Sequence, residues 1–184
     1  MWRCVLSIGI DRPWETAALG LGGNIGDPAA AMAHALQALD ARKDCRVLAV
    51  SRLYLTPPWG NTNQADFFNC CALIDTELEP EELLDLCLAL ERESKRVRAE
   101  RWGPRTLDID ILTYGDRVEK TPALELPHPR MTERAFVMLP LADLAPHMII
   151  NGRKAESWAG SLNSTGISIA KPDGLWWRQI STVE

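Results

Sequence analysis

Two acidic residues stand inside an apolar run at the end of "RWGPRTLDIDIL", Arg101 to Leu112. Leu107, Ile109, Ile111 and Leu112 give the run the look of a buried strand, with Asp108 and Asp110 spaced by two. A strand alternates faces residue by residue, so both carboxylates point one way and the isoleucines the other. Such a pair holds a hard cation such as Mg²⁺, forms an acid–base couple, or stands solvated on an open face. The neighbours bear on the choice. Arg92, Lys95, Arg96, Arg98, Arg101 and Arg105 crowd the stretch just upstream. Arg92 and Lys95 alone also read as a solvated helix end. Guanidinium groups neutralise phosphate oxygens through paired contacts, and a shared cation relieves the repulsion between the carboxylates while phosphate oxygens complete its shell. Carboxylates, cation and arginines together are the equipment of phosphoryl transfer.

A second set of residues suits a flat ligand. In "DFFNCCALIDTEL" (Asp66 to Leu78), Phe67, Asn69 and Cys71 share a face by the same alternation. An aromatic ring beside an amide fits a hydrogen-bonding heterocycle; packing with one satisfied polar group is the plainer alternative. Thr56, Pro57, Pro58, Trp59 and Gly60 form either a stiff wall beside that face or a strand terminator. The "GLGGNIGD" run (Gly20 to Asp27) has the glycines of a phosphate loop but not the Lys-Ser/Thr of a Walker A motif, nor a clear Rossmann unit around it. His128, between two prolines, has its direction set by the loop and reads equally as a phosphate donor or a surface residue.

The elements that position these groups follow from pattern. Thr16–Gly23 reads as a first strand, and Asp27-Pro28 caps a helix with Met32, Leu36 and Leu39 on one stripe. Arg46–Thr56 is a second strand stopped by Pro57-Pro58, and Asp66–Leu78 a third, forming a hairpin across the polar loop between them. Glu79-Pro80-Glu81 opens a second helix with Leu83, Leu84, Leu86, Leu88 and Leu90 on an apolar side, and the Asp108 strand follows. The order βαββαβ predicts an α+β, ferredoxin-like core: a four-stranded antiparallel sheet with both helices on one face. A helix from about Thr132 to Leu144 and a Trp-rich extension over 151–184 complete the chain; the extension itself carries no functional signal.

Bulk properties narrow the classes. The 184 residues suggest one domain spanning 1–184, with a core near 16–150, and 46% hydrophobic content supplies an ordinary core. A net charge of −5 argues against a nucleic-acid backbone binder, leaving the local basic patch for a small anion. The five cysteines, Cys4, Cys45, Cys70, Cys71 and Cys87, contain no C-x-x-C and read as buried reduced thiols of a cytoplasmic protein. The apolar stretch at the N-terminus is interrupted by Asp11 and Arg12 and is too brief to span a membrane.

Taken together, "GLGGNIGD", "YLTPPWG", "DFFN", "RVRAERWGPRTLDIDIL" and "LPHPRMTERAFVMLPL" resemble the 6-hydroxymethyl-7,8-dihydropterin pyrophosphokinase family of folate biosynthesis, over about Ala17 to Pro146. The resemblance implies a ferredoxin-like fold and transfer of diphosphate from ATP to the pterin hydroxymethyl oxygen, releasing AMP. It implies two Mg²⁺ ions on Asp108 and Asp110, with Arg96 and Arg105 stabilising charge at the transferred group. Glu91, Arg98, Arg101, Trp102, Ile111, His128 and Arg134 match the ATP side; Gly22, Thr56, Pro57, Trp59, Phe67, Asn69 and Phe136 match the pterin side. The partners expected are the two substrates, with the chain acting as a monomer that binds neither nucleic acid nor membrane. Departures from the family pattern are Gly23 for a serine, Leu88 for a glutamine, Lys95 for a glycine, Ala123 for an arginine and Phe67 for a tyrosine. The rival readings are another two-metal phosphoryl or nucleotidyl transferase with a different acceptor, and a nucleotide- or RNA-binding ferredoxin-like module.

Overall fold

Alternation in Glu15–Gly23 (β1) sends Ala17, Leu19 and Leu21 to one face and Ala18 to the other, all buried, so this strand is central. The computed structural model describes residues 12–58, 63–94 and 105–178. Helix α1 (Pro28–Asp40) starts where predicted: Asp27 Oδ1 accepts the Ala30 N–H at 3.0 Å, and Pro28 occupies the first turn. Its stripe of Met32, Leu36 and Leu39 is fully buried. After β2 (Cys45–Val50), β3 (Leu53–Thr56) and β4 (Phe67–Thr76), Pro80 opens α2 (Pro80–Glu93), whose first-turn Glu82 accepts the Glu79 N–H at 2.9 Å. Leu83, Cys87 and Leu90 bury its inner stripe, and β5 (Asp108–Tyr114) follows.

The main sheet runs β3-β4-β1-β5 with every pair antiparallel, which is the ferredoxin-like order. Both α1 and α2 pack on the face that carries Leu19, Leu21, Ile109 and Ile111. Two features enlarge the predicted four-stranded sheet. The predicted second strand divides into β2 and β3, which lie end to end along the same edge of β4. The break falls at Ser51, whose Oγ accepts the Cys71 N–H at 2.9 Å while its own N–H donates to Cys71 O at 2.9 Å. A side-chain oxygen thus takes the place of a ladder carbonyl, and one extra residue enters the strand. The second addition is β10 (Ser168–Lys171), which pairs with β3 and widens the sheet beyond the core.

A second layer covers part of the other face. Beyond the small hairpins β6 (Glu119–Lys120) with β7 (Glu125–Leu126) and β8 (Ile149–Ile150) with β9 (Arg153–Lys154), helices α3 (Ala135–Leu144) and α4 (Ala155–Ser161) pack together. A single 3₁₀ turn, Met131–Glu133, precedes α3, so the predicted helix begins a few residues later than Thr132. Val137, Met138 and Leu141 of α3 bury Ala18, Cys71 and Leu112. Leu112 is the extra residue where the β1–β5 register slips. One polar cluster clamps α3 to the sheet edge: Arg52 Nε donates to Asp143 Oδ2 at 2.8 Å, and the Tyr54 hydroxyl donates to the same oxygen at 2.6 Å. Burial, with Asp143 next, raises the Tyr54 pKa, so the phenol stays a donor. Asp143→Ala is expected to cost about 1–2 kcal/mol, given a half-exposed arginine partner, and to lower the melting temperature by about 3–6 °C. An unchanged melting curve would show that the clamp contributes nothing.

Candidate active site

The half of the second face that α3 and α4 leave partly open is where the aspartates lie. Register places Gly22 opposite both Asp108 and Asn69, and Gly20 opposite both Asp110 and Cys71. Cross-strand partners share a face, so one row reads Asp108–Gly22–Asn69–Tyr54 across four strands. Phe67, two residues before Asn69, joins the same face and pairs with Thr56. The row's centre is bare main chain. A Cβ on Gly22 would sit 2.7 Å from Asn69 Oδ1, so only glycine leaves the amide its place. Asn69 is 7% exposed, and its Nδ2 donates to Thr56 Oγ1 at 2.7 Å. Pro57 follows Thr56 at the exposed end of β3.

Two arginines bracket this floor with matching contacts. Arg105 pairs with Asp108 and lies over the Phe67 ring, 5.8 Å from its centroid. Arg134 Nη1 lies 3.7 Å from Asp110 Oδ2 and sits over the Phe136 ring at 5.7 Å. Phe136 belongs to the first turn of α3, so the second helical layer delivers one aromatic and one arginine, while β4 delivers Phe67 and the segment leading into β5 delivers Arg105. The Asp110 carboxyl is pushed above its ordinary range, first by loss of water around it and then by Asp108, against the pull of His128 and the arginines. Burial pushes the His128 imidazole below its ordinary range, with Asp110 opposing. Its Nδ1 accepts the Arg130 N–H at 3.2 Å, so the neutral ring carries its hydrogen on Nε2, the nitrogen 3.9 Å from Asp110 Oδ2. The His128 N–H in turn donates to Leu112 O at 2.8 Å, tying the loop to β5.

The remaining predicted residues divide cleanly. Glu91 is buried at the end of α2, and its Oε1 accepts the Ile109 N–H at 2.8 Å, gripping the main chain between the two aspartates. The Ile111 side chain is buried under the helices, so only its main chain could meet a ligand. Arg96, Arg98, Arg101, Trp102 and Trp59 lie outside the described residues. Of the departures from the family pattern, Leu88 is half-buried on α2 and Ala123 is exposed in the turn between β6 and β7.

Asn24 is a residue that sequence reasoning passed over. Its Oδ1 accepts the Arg105 N–H at 2.9 Å, its Nδ2 donates to Ala65 O at 3.0 Å, and its own N–H donates to Arg105 O at 2.8 Å. One side chain therefore ties the approach to β5 to the loop leading into β4. The signal was an asparagine directly after the paired glycines, where a side-chain amide can bridge two chains that glycine lets come close.

The two carboxylates side by side are hard oxygen donors and fit a divalent cation that brings further oxygens with it; among the described residues no cluster of three or more acidic, His or Cys ligands would cage one alone. Among the described residues the four cysteines are free and buried, and no helix is long and apolar enough to cross a membrane.

Comparison with known proteins gives a consistent result. A family model described as 7,8-dihydro-6-hydroxymethylpterin-pyrophosphokinase matches residues 18–146. A 2-amino-4-hydroxy-6-hydroxymethyldihydropteridine pyrophosphokinase of Methylorubrum extorquens is 48% identical over 151 residues, 82% of this chain and 96% of that one. The Bacillus subtilis protein of the same name is 37% identical over 168 residues, 91% of this chain and 93% of that one. A crystal structure of Plasmodium falciparum HPPK-DHPS with pteroate superposes with a TM-score of 0.63 at 15% identity, over 82% of this chain. This chain spans 43% of that longer one, and the likeness speaks for the fold. With half of the chain or more matched by the family model and by relatives of nearly equal length, the chain belongs to the 7,8-dihydro-6-hydroxymethylpterin-pyrophosphokinase family.

Proposed function

We propose that the chain moves a diphosphate group from ATP to the hydroxymethyl oxygen of 6-hydroxymethyl-7,8-dihydropterin, releasing AMP, as one domain over 1–184. The row Asp108–Gly22–Asn69 carries this reading. It sets a phosphate-handling carboxylate about 10 Å, two strand spacings, from a ring-reading amide across a bare glycine floor. That span suits a bicyclic ring with a short arm reaching toward the carboxylates.

Asn69, braced by Thr56, presents an amide that serves both donor and acceptor edges of a pterin. Phe67 and Phe136 offer their ring faces on either side, and Gly22 keeps the floor low. Asp108 and Asp110 would hold Mg²⁺, in our reading two ions, and the bound metal would supply Lewis-acid chemistry at the phosphate oxygens and the attacking hydroxyl. Arg105 is already within reach of the carboxylates and trades Asp108 for oxygens of the transferred group. Arg134 and the Nε2–H of His128 approach from the Asp110 side, where they suit the nucleotide phosphates. Glu91 keeps both aspartates in register by fixing the Ile109 main chain. Arg96, Arg98, Arg101 and Trp102 are assigned to ATP and the transferred group, Ile111 to ATP through its main chain, and Pro57 and Trp59 to the pterin, on the family resemblance. The buried free thiols favour a reducing compartment such as the cytoplasm.

An AMP-release assay with ATP and Mg²⁺ tests the reading. AMP is expected only when hydroxymethyl-dihydropterin is present, with equimolar diphosphorylated pterin. AMP formation indifferent to the pterin, or dependent on a different acceptor, would overturn it.

A further inference from the structure

The segment from Gly166 to Trp177 follows β2 and β3 along their outer edge and touches them at almost every step. Gly166 meets Pro57; Ser168, Ile169 and Lys171 pair with Leu55, Tyr54 and Leu53. Further on, the Gly174 main chain packs against Val50 O, and Trp176 Nε1 donates to Ser51 O at 3.0 Å. The strap is anchored at its far end: both Trp176 and Trp177 are in the main core cluster, and Gln37 of α1 donates to Trp177 O at 2.7 Å. Its near end is a self-bonded turn in which Asn163 Oδ1 accepts the Thr165 N–H at 3.0 Å and the Ile167 N–H donates to Ser164 O at 3.0 Å. Both ends are therefore stiff, and what lies between them is the strand that ends in Thr56, with Pro57 just beyond it.

We infer that this strap is a positioning element for the pterin-side wall, with Gly166 as its contact point on Pro57. The inference rests on the reading of Thr56, Pro57 and Asn69 as ring-binding residues. β3 needs such a brace because the chain breaks at Ser51, so β3 is a four-residue strand without a continuous ladder behind it. Gly166 has φ 81°, and a Cβ there would lie 2.7 Å from Pro57 Cγ. A proline ring does not swing aside, so the main chain at Pro57 must move, carrying Thr56 and through its 2.7 Å bond the Asn69 amide.

Gly166→Ala is compared with Gly152→Ala, which shares the left-handed backbone at φ 75° but has nothing within 4 Å of a Cβ. The two variants bear similar backbone strain, and only the first presses on Pro57. Steady-state kinetics of AMP release are expected to show pterin KM about tenfold higher in Gly166→Ala with ATP KM little changed, and neither shifted in Gly152→Ala. Equal pterin KM in the two variants, or ATP and pterin KM rising together in Gly166→Ala, would overturn the inference. Should Gly166→Ala not fold, Trp176→Phe, which lacks the donor to Ser51, is expected to show the same split to a lesser degree; no split would overturn it. If the wild-type chain makes no AMP from the pterin, the functional reading fails, and amide exchange decides the strap separately. Faster exchange across Leu53–Thr56 in Gly166→Ala than in Gly152→Ala supports the brace; equal exchange refutes it.

Discussion

Asp108→Ala is expected to lower Mg²⁺-dependent AMP release by about a thousandfold or more while the chain stays folded. The loss is large because the two carboxylates act as a unit. With Asp110 alone, a divalent ion would keep half of its protein charge, and the phosphates it orients would be held less firmly. Folding is spared for a different reason. Asp108 lies in neither apolar cluster, its side chain is 21% exposed, and its attraction to Arg105 is opposed by its repulsion of Asp110. Removing it relieves that repulsion as it breaks the ion pair, so the melting temperature should move by no more than about 3 °C. Asp108→Asn separates charge from shape: it retains the volume and should be nearly as inactive. Rate against Mg²⁺ concentration, read beside a melting curve, checks the claim. A folded Asp108→Ala chain with wild-type turnover and unchanged Mg²⁺ dependence would remove the aspartates from the mechanism.

How much of the fold the sequence conveys depends on how local the physics of each element is. The spacing of Asp108 and Asp110, the alternation of Phe67 with Asn69, and the cap at Asp27 are each determined by residues within a few positions, and each element forms where its pattern lies. Ser51 shows the opposite case. Arg46 to Thr56 reads as one strand, but a hydroxyl that bonds across to Cys71 divides it, and nothing in the run marks that serine as the break. β10 is exposed along its whole length and owes its strand form to the edge of β3. Arg52, Tyr54 and Asp143 are unremarkable separately; only the docking of α3 brings them into one clamp. The same docking decides which half of the sheet face stays open, and no local pattern in the sequence conveys that.

Gly22 and Asn69 provide the most discriminating test of the ring-binding half. Asn69→Ala should raise pterin KM by about 30- to 100-fold, because ring atoms that had hydrogen-bond partners are buried without them. It also takes from Thr56 Oγ1 its donor at 2.7 Å, a stability loss of about 1 kcal/mol. Gly22→Ala alone should raise pterin KM by about tenfold, since its Cβ, 2.7 Å from Oδ1, forces the amide off its line. If room for the amide is what glycine provides, the second change has nothing left to disturb once Asn69 is gone. The double variant should then match Asn69→Ala, a coupling of about 1.4 kcal/mol in the cycle. ATP KM should be little affected in all three, because the β5 end of the row is untouched. Penalties that simply multiply in the double variant would mean that Gly22 matters for some other reason, such as direct approach of the ring to the main chain, and the amide would lose its claim to be the group the glycine protects.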